Sequence, residues 1–234
     1  MRKDFNMRIN KFISETGFCS RREADKIIGE GRVTINGQIA HLGTIVEAND
    51  RVCIDGKSIG KKRQHVYIAL NKPIGITCTT ERHIEGNIVD FVNHPERIFH
   101  IGRLDKDSQG LILLTNDGDI VNKVLRAENN NEKEYIVTVN KPITPYFMQG
   151  MSKGVKILGT TTKPCKLTPI NEKTFRVVLT QGLNRQIRRM CQAFGYKVVN
   201  LKRIRIMNIQ LGDLKVGKWR NLTQDELREL RKNL

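Results

Sequence analysis

The sequence predicts an α+β protein with a small N-terminal domain and a larger domain built around a mixed or antiparallel sheet. Residues 60–65 contain no apolar side chain and separate two segments of different pattern. Before them, two helix candidates precede short strands. After them, strand and helix candidates alternate without the regular rhythm of a parallel doubly wound sheet. We therefore predict domains at 1–60 and 66–234, joined by a linker at 61–65.

The small domain opens with two helix candidates. Apolar residues recur on one face of the first, over 9–15. Ser20 and Glu23 have the spacing of a capping box, in which the Ser accepts from a free backbone amide and the Glu reaches back to the cap. The second helix should stop at Gly31, because glycine readily takes the left-handed conformation that ends helices. Asn-Gly and Asp-Gly turns then predict short strands at 33–35 and 52–54.

The larger domain is predicted from apolar patterning and helix caps. Strand candidates are found at 66–70, 111–115, 134–139, 175–180 and 198–209. Helix candidates are found at 87–93, 118–126, 144–151 and 184–194. A last helix is predicted to start at Thr223, where Thr-Gln-Asp-Glu repeats the capping-box spacing.

The charge balance points to a polyanionic partner. The 234 residues include 41 Lys and Arg against 24 Asp and Glu, a net charge of +17. In the small domain the basic candidates for phosphate contact are Arg8, Lys11, Arg21, Arg22 and Lys26. Neutralising phosphates releases counterions, which favours such a basic face. Interspersed acidic residues leave a merely solvated surface as the alternative there.

A second basic region lies between residues 173 and 212, which contain nine Lys or Arg and no Asp or Glu. The helical spacing over 184–194 predicts an apolar stripe facing the core. The same spacing turns Arg185, Arg188 and Arg189 outward together, which mutual repulsion disfavours unless anions share the space. Along 201–207, Arg203 and Arg205 alternate with isoleucines, which predicts one buried face and one basic face. We expect nucleic-acid contact at these arginines.

Other patterns exclude several classes of protein. No apolar run approaches the roughly 18 residues of a membrane span, and the N-terminus lacks the apolar core of a secretory signal. The five cysteines are scattered without pairing, and the histidines lack metal-ligand spacing. We therefore expect a cytoplasmic protein that binds no metal and no membrane.

One loop has the residues of a catalytic site. The run Gly102–Gly110 holds two carboxylates, Asp105 and Asp107, and leads into the apolar run 111–114. A carboxylate in a glycine-bounded loop before a buried strand can be held rigidly at the edge of a cleft. These considerations do not rank the two aspartates, and either is also compatible with an ordinary turn residue.

Motifs along the whole chain resemble a known family. GRLDKDSQGLILLTNDG resembles the catalytic motif of the pseudouridine synthases, G-R-L-D-x-x-[S/T]-x-G-L. The N-terminal RINKFISETGFCSRREADKIIGEGRVTING resembles the S4 RNA-binding domain. Three more segments resemble further motifs of the family, in the same order along the chain: NKPIGITCT, EKEYIVTV and QGLNRQIRRMCQAFG. The combination resembles the RsuA/RluB/RluE/RluF group. Within this group, the segments NIVDFVNH, RLDKDSQGL and LNRQIRRM most resemble the large-subunit rRNA branch that includes RluF.

The resemblance implies a fold and a set of site residues. The fold is an S4-type domain followed by a pseudouridine synthase catalytic domain. Asp105 is then the nucleophile, Tyr135 stacks on the target uracil, and Arg188 forms the ion pair that positions Asp105. Arg185 and Arg189 are expected to be phosphate ligands, and Arg103 to help hold the flipped nucleotide. Isomerisation of uridine oxidises and consumes nothing, so no cofactor is expected.

The same resemblance suggests the substrate. We expect a uridine of 23S ribosomal RNA near the peptidyl transferase centre, with the tyrosine tRNA anticodon as a second substrate and a monomeric enzyme. Some relatives continue past the position of Leu234 with a long basic tail, and we expect the chemistry not to depend on one. Two alternatives stay open: the same chemistry on small-subunit rRNA, or a non-catalytic ribosome-assembly factor with an S4 domain. An intact set of Asp105, Tyr135 and Arg188 favours the enzyme.

Overall fold

The structure is a computed structural model that describes residues 6–60, 64–125 and 131–234. The chain divides into two compact units, Met1–His65 and Val66–Leu234. Three positions of the predicted linker, 61–63, lie outside the described residues. So does position 126, at the end of the predicted helix 118–126.

The first unit begins with β1 (Met7–Arg8), followed by the helices α1 (Ile9–Glu15) and α2 (Arg21–Gly29). Ser20 caps α2 by accepting from the backbone N–H of Glu23, as the spacing predicts. Gly31 follows the helix with a φ of +71°. Buried aliphatic side chains from both helices pack on the strands and form the core of this unit.

Short strands complete the first unit. They are β2 (Val33–Ile35), β3 (Gln38–Ile39), β4 (Ile45–Val46), β5 (Val52–Ile54) and β6 (Lys57–Ile59). Four of them form an antiparallel sheet in the order β3-β2-β5-β6, and β4 pairs with β1. Both residues of each predicted Asn-Gly and Asp-Gly turn have positive φ, as a two-residue hairpin connection of this kind requires.

The second unit contains most of the secondary structure. Its strands are β7 (Tyr67–Lys72), β8 (Phe99–Ile101), β9 (Gln109–Thr115), β10 (Lys133–Val139), β11 (Lys156–Ile157), β12 (Thr160–Thr161), β13 (Lys166–Asn171), β14 (Thr174–Leu179), β15 (Val198–Ile206), β16 (Ile209–Gln210) and β17 (Trp219–Asn221). Its helices are α3 (Ile88–Val92), α4 (Gly118–Leu125), α5 (Pro145–Lys153), α6 (Gln186–Ala193) and α7 (Gln224–Lys232).

A nine-stranded sheet organises this unit. Its strand order is β13-β14-β10-β15-β9-β7-β17, with β16 paired to β15 and β8 paired to β9. All of these pairs are antiparallel except β15 with β9, which are parallel at the centre of the sheet. The predicted α+β class with a mixed sheet is therefore confirmed.

Both faces of the sheet are covered by helices. On one face Ile68 and Leu70 pack towards α5 and α6, and on the other Tyr67 and Ala69 pack towards α4 and α7. This division follows from the two-residue period of a strand. The single strand expected over 198–209 is wrong, because the chain turns back after β15 at Met207, whose φ is +52°.

Candidate active site

The loop with the two aspartates connects β8 to β9 and lies next to the parallel strand pair. Gly102 enters it with a φ of +74°, and the N–H of Ser108 donates to the carbonyl of Asp105 at 3.0 Å. From outside the loop, Gly75 N–H donates to the carbonyl of Lys106 at 2.8 Å. These bonds hold the backbone at Asp105, whose side chain is 30% exposed, and at the residue that follows it. Asp105 is thus accessible on a fixed backbone.

Arg185 lies opposite both carboxylates of the loop. It precedes α6 in the left-handed conformation, with a φ of +49°. Such a conformation costs a non-glycine residue about 1–2 kcal/mol and is concentrated at functional sites. Its guanidinium donates to both carboxylate oxygens of Asp107, at 3.2 and 2.9 Å, and approaches Asp105 Oδ2 at 3.4 Å. This ion pair is the largest cause that lowers the pKa of Asp107, with a smaller contribution from Arg188.

Arg188 holds the loop from α6. Only 13% of its side chain is exposed, and its Nη2 donates to the carbonyl of Asp107 at 3.0 Å and to the buried Ser108 Oγ at 3.1 Å. Its Nε lies 3.9 Å from Asp105 Oδ2. Two guanidiniums therefore face the predicted nucleophile, and Arg185 is the nearer.

A buried lysine supports the same loop and escaped the sequence analysis. Lys72 is fully buried at the end of β7, and its Nζ donates to the carbonyls of Pro73 and Ile76. Burial lowers its pKa. The turn that it stabilises contains Gly75, which bonds Lys106. The signal that could have identified it was a lysine two residues after the apolar run 66–70, at the end of a buried strand, because buried lysines need dedicated partners.

The loop borders a cleft of about 850 Å³. Its lining includes the buried Tyr135 of β10. The turn before α6 also lines it, together with Asp105, Arg103, Arg185 and Arg188. The structure therefore brings together the three residues that the resemblance selected. A flat ring, a carboxylate and cationic groups in one cleft suit a planar base attached to a phosphate-bearing chain.

The predicted outward row of arginines on 184–194 is wrong in part. The apolar stripe does face the core, with Ile187 and Met190 buried. However, α6 begins only at Gln186, so Arg185 lies before it and turns to the aspartates, as Arg188 does. Arg189 donates to the carbonyl and side-chain oxygens of Asn184. Carboxylates of the protein itself thus offset the charges of Arg185 and Arg188, whereas the partner of Arg189 is a neutral asparagine.

The predicted basic face along 201–207 is also wrong. Tyr135 lies opposite Arg203 whereas Glu134 lies opposite Arg205, because a β-bulge shifts the register between them. Neighbouring residues of β10 point to opposite faces, so the two arginines do as well. Arg203 is buried, 3% exposed, and Arg205 is bonded to Glu132 and Glu134. Neither guanidinium is free for RNA.

The basic residues of the first unit are better placed for contact with a polyanion. Arg8, Arg21, Arg22 and Lys26 are exposed on β1 and α2. Lys11 is half-buried and ion-paired with Glu15 at 3.6 Å. Within the described ranges, no cluster of three metal-ligating side chains occurs, and no helix is long and apolar enough to cross a membrane.

Comparison with known proteins identifies the class. Residues 66–193 match the RNA pseudouridylate synthase family, and residues 7–52 match the S4 domain. A solved structure described as a pseudouridylate synthase superposes with a TM-score of 0.70 at 31% identity, covering 96% of this chain and 99% of that one. The fold and cleft are thus those of an enzyme that forms pseudouridine in RNA.

Relatives specify the group. The chain is 58% identical over 232 residues to the dual-specificity RNA pseudouridine synthase RluF of Salmonella typhi, covering 98% of this chain and 80% of the relative. It is 34% identical to the ribosomal large subunit pseudouridine synthase B of Bacillus subtilis, covering 96% and 95%. The chain belongs to the RNA pseudouridylate synthase family, in the S4-domain group that contains RluF, which confirms the resemblance seen in the sequence motifs.

Proposed function

We propose that this enzyme isomerises a specific uridine of 23S ribosomal RNA near the peptidyl transferase centre, with the tyrosine tRNA anticodon as a second substrate. The names of two relatives support this choice, since one is a ribosomal large subunit enzyme and the other has dual specificity. The enzyme works in the cytoplasm as a monomer and requires no cofactor, because isomerisation has no redox step.

One observation carries the assignment of the residues. The Asp105 carboxylate borders the cleft with two guanidiniums facing it, at 3.4 Å from Arg185 and 3.9 Å from Arg188. Tyr135 lines the same cleft. Asp105 is the nucleophile, Arg188 fixes its loop, and Arg185 adds a second positive charge. Nucleophilic attack requires a carboxylate that is accessible and held in place.

The chemistry begins with removal of the target base from its stack, at a cost of a few kcal/mol. Stacking on Tyr135 offsets part of that cost. The C1′–N1 bond then breaks, the uracil turns, and its C5 joins C1′. Asp105 either bonds C1′ or takes the 2′ proton to give a glycal, and both routes need the same carboxylate in the same place.

The RNA is held by groups outside the reacting centre. On the S4 domain these are Arg8, Lys11, Arg21, Arg22 and Lys26, and at the cleft they are Arg103 and Arg189. Arg185 binds the phosphate next to the target uridine in addition to facing Asp105, since its side chain is 41% exposed. Arg203 and Arg205 are omitted because one is buried and the other is paired with two glutamates.

The test combines mapping and mutation. Pseudouridines are mapped in 23S, 16S and transfer RNA from a deletion strain and from strains complemented with the wild type or Asp105→Asn. We expect one large-subunit site to disappear on deletion, and Asp105→Asn to leave it unmodified while binding RNA within a few-fold of the wild type. Loss of a 16S site instead supports the small-subunit alternative. Restoration by Asp105→Asn supports the non-catalytic assembly factor and rejects the assigned nucleophile.

A further inference from the structure

We propose that Arg203 is a positioning residue of the isomerisation. Its buried, unneutralised guanidinium ties together the two ends of the catalytic loop and supplies a positive field beneath Tyr135 that stabilises the uracil anion released in the reaction. This inference rests on the proposed roles of Asp105 and Tyr135.

The first support is where the side chain is bonded. Arg203 lies on β15 between Tyr135 on β10 and Gly110 on β9. Its Nε donates to the carbonyl of Leu111 at 2.6 Å, and its Nη1 reaches the carbonyl of Arg103 at 3.5 Å. These carbonyls flank the segment that carries Asp105. One guanidinium thus joins the start of the catalytic loop to the strand that follows it.

The second support is the missing counter-charge. Among the residues that the structure describes, no carboxylate forms an ion pair with Arg203, and its Nη2 is buried without a hydrogen-bond acceptor. Its charge adds to burial in lowering the pKa of two neighbouring lysines, Lys133 and Lys72. Arg205, on the same strand, is instead bonded to two glutamates.

An unpaired buried charge opposes folding, so its presence needs a reason. If Arg203 only had to bond two carbonyls, a nearby carboxylate that neutralised its charge would make the folded protein more stable, as Glu132 and Glu134 neutralise Arg205. Cancelling the charge of Arg203 would, however, remove its field from the cleft. The guanidinium carbon lies 5.9 Å from the centre of the Tyr135 ring, on which the uracil is proposed to stack.

The reaction creates the anion that this field suits. When the C1′–N1 bond breaks, its electron pair stays on the uracil. Either C1′ bonds an oxygen of Asp105, or Asp105 removes the proton of C2′ and a C1′=C2′ double bond forms. The uracil turns, C5 bonds C1′ and releases its proton, and N1 takes up a proton. Asp105 regains its free carboxylate as its bond to C1′ breaks or as it returns the 2′ proton. A fixed positive charge therefore favours the separated state over the bound uridine.

The test varies the leaving group together with Arg203. The substrate RNA carries uridine or 5-fluorouridine at the target, and loss of the N-glycoside is followed in single turnovers at saturating enzyme. Fluorine withdraws electrons and stabilises the uracil anion, so the fluorinated base depends less on Arg203. We expect Arg203→Met to raise the rate ratio of 5-fluorouridine to uridine on the order of tenfold. Arg203→Lys keeps a charge and should raise it less. An unchanged ratio in both variants overturns the proposal.

Controls separate this role from stability and from the proposed function. Arg220 belongs to the same sheet and is bonded to both carboxylate oxygens of Glu226, away from the cleft. Arg220→Met should lower the melting temperature without changing the rate ratio. If Arg203→Met does not fold, Arg203→Gln, which also removes the charge, takes its place, and a rate ratio equal to wild type in that variant rejects the inference. Turnover by Asp105→Asn rejects the proposed function, whereas an inactive Asp105→Asn with an unchanged Arg203 ratio rejects only the role of Arg203.

Discussion

Arg188→Lys is the substitution that most directly tests how the catalytic loop is held. Arg188 donates from one nitrogen to the carbonyl of Asp107 and to Ser108 Oγ, while its Nε faces Asp105. Lysine keeps the positive charge and loses the planar fork, so it cannot reproduce all three positions at once. We expect the Asp105 carboxylate to be held less rigidly.

The size of the effect follows from these contacts. A hydrogen bond to a charged group contributes about 1.5–3 kcal/mol, and lysine keeps one of the two bonds to the loop. Loss of the other bond and of the Nε opposite Asp105 should raise the activation free energy by about 2–3 kcal/mol. At 1.36 kcal/mol per factor of ten, turnover should fall roughly 30- to 150-fold.

The assay measures single-turnover pseudouridine formation and RNA affinity on the same preparation. Arg188→Lys should lower the rate constant while the dissociation constant changes less than about threefold. Arg220→Lys, a conservative exchange outside the cleft, is the control and should change neither quantity. If the affinity of Arg188→Lys falls and its rate constant at saturation does not, Arg188 is a phosphate ligand and the positioning role passes to Arg185.

Three further predictions concern stability and RNA binding. Gly110→Ala should destabilise the protein by at least about 3 kcal/mol in denaturant unfolding, since its new Cβ would lie 2.2 Å from the Arg203 carbonyl oxygen at a φ of +107°. The control Gly56→Ala, at a positive φ in open space, should cost only about 1 kcal/mol. Equal losses in the two variants would contradict the close contact at Gly110. Arg22→Ala with Lys26→Ala should reduce the log–log salt slope of RNA binding by roughly 1.4 without changing the target, and an unchanged slope means that these residues do not contact phosphate. The pKa of Asp107 is lowered in the folded state, so its contribution to stability is full above its unfolded pKa and is lost as the pH falls through the folded value. Asp107→Asn should therefore lose less stability than the wild type between pH 5 and pH 2, and parallel unfolding curves would contradict this.

Much of the secondary structure could be predicted because local signals specify it. The Thr223 capping box has both of its hydrogen bonds, as the spacing predicts. At Ser20 the predicted box is formed in part, since the Ser20 side chain accepts from Glu23 N–H and no bond from Ser20 N–H to the Glu23 side chain is formed. The edge strands were missed for physical reasons. β13 is mostly exposed and contains Pro169, which is tolerated at a sheet edge and weakens a strand signal in the sequence. β17 has three residues, too few to show a period.

The site was predictable only in part. The resemblance selected Asp105, and patterning alone did not rank it above Asp107. The pairing of Arg185 with Asp107 joins residues 78 positions apart and depends on a left-handed backbone that arginine rarely adopts. The burial of Arg203 depends on a one-residue bulge, and a register shift of one residue reverses which face a side chain occupies. Neither feature has a local sequence signal.

The parallel pairing of β9 with β15 has a consequence for how the enzyme is made. Arg203 and Leu111, which it bonds, are 92 residues apart, so the chain must close a long loop before the centre of the sheet exists. Pairings of this range form slowly. The strands of the first unit pair within a short stretch of chain and leave the ribosome first during synthesis. The first unit should therefore acquire its structure before the cleft of the second unit has formed. Pulse-labelled hydrogen exchange should detect protection of β2 and β5 before protection of β9 and β15.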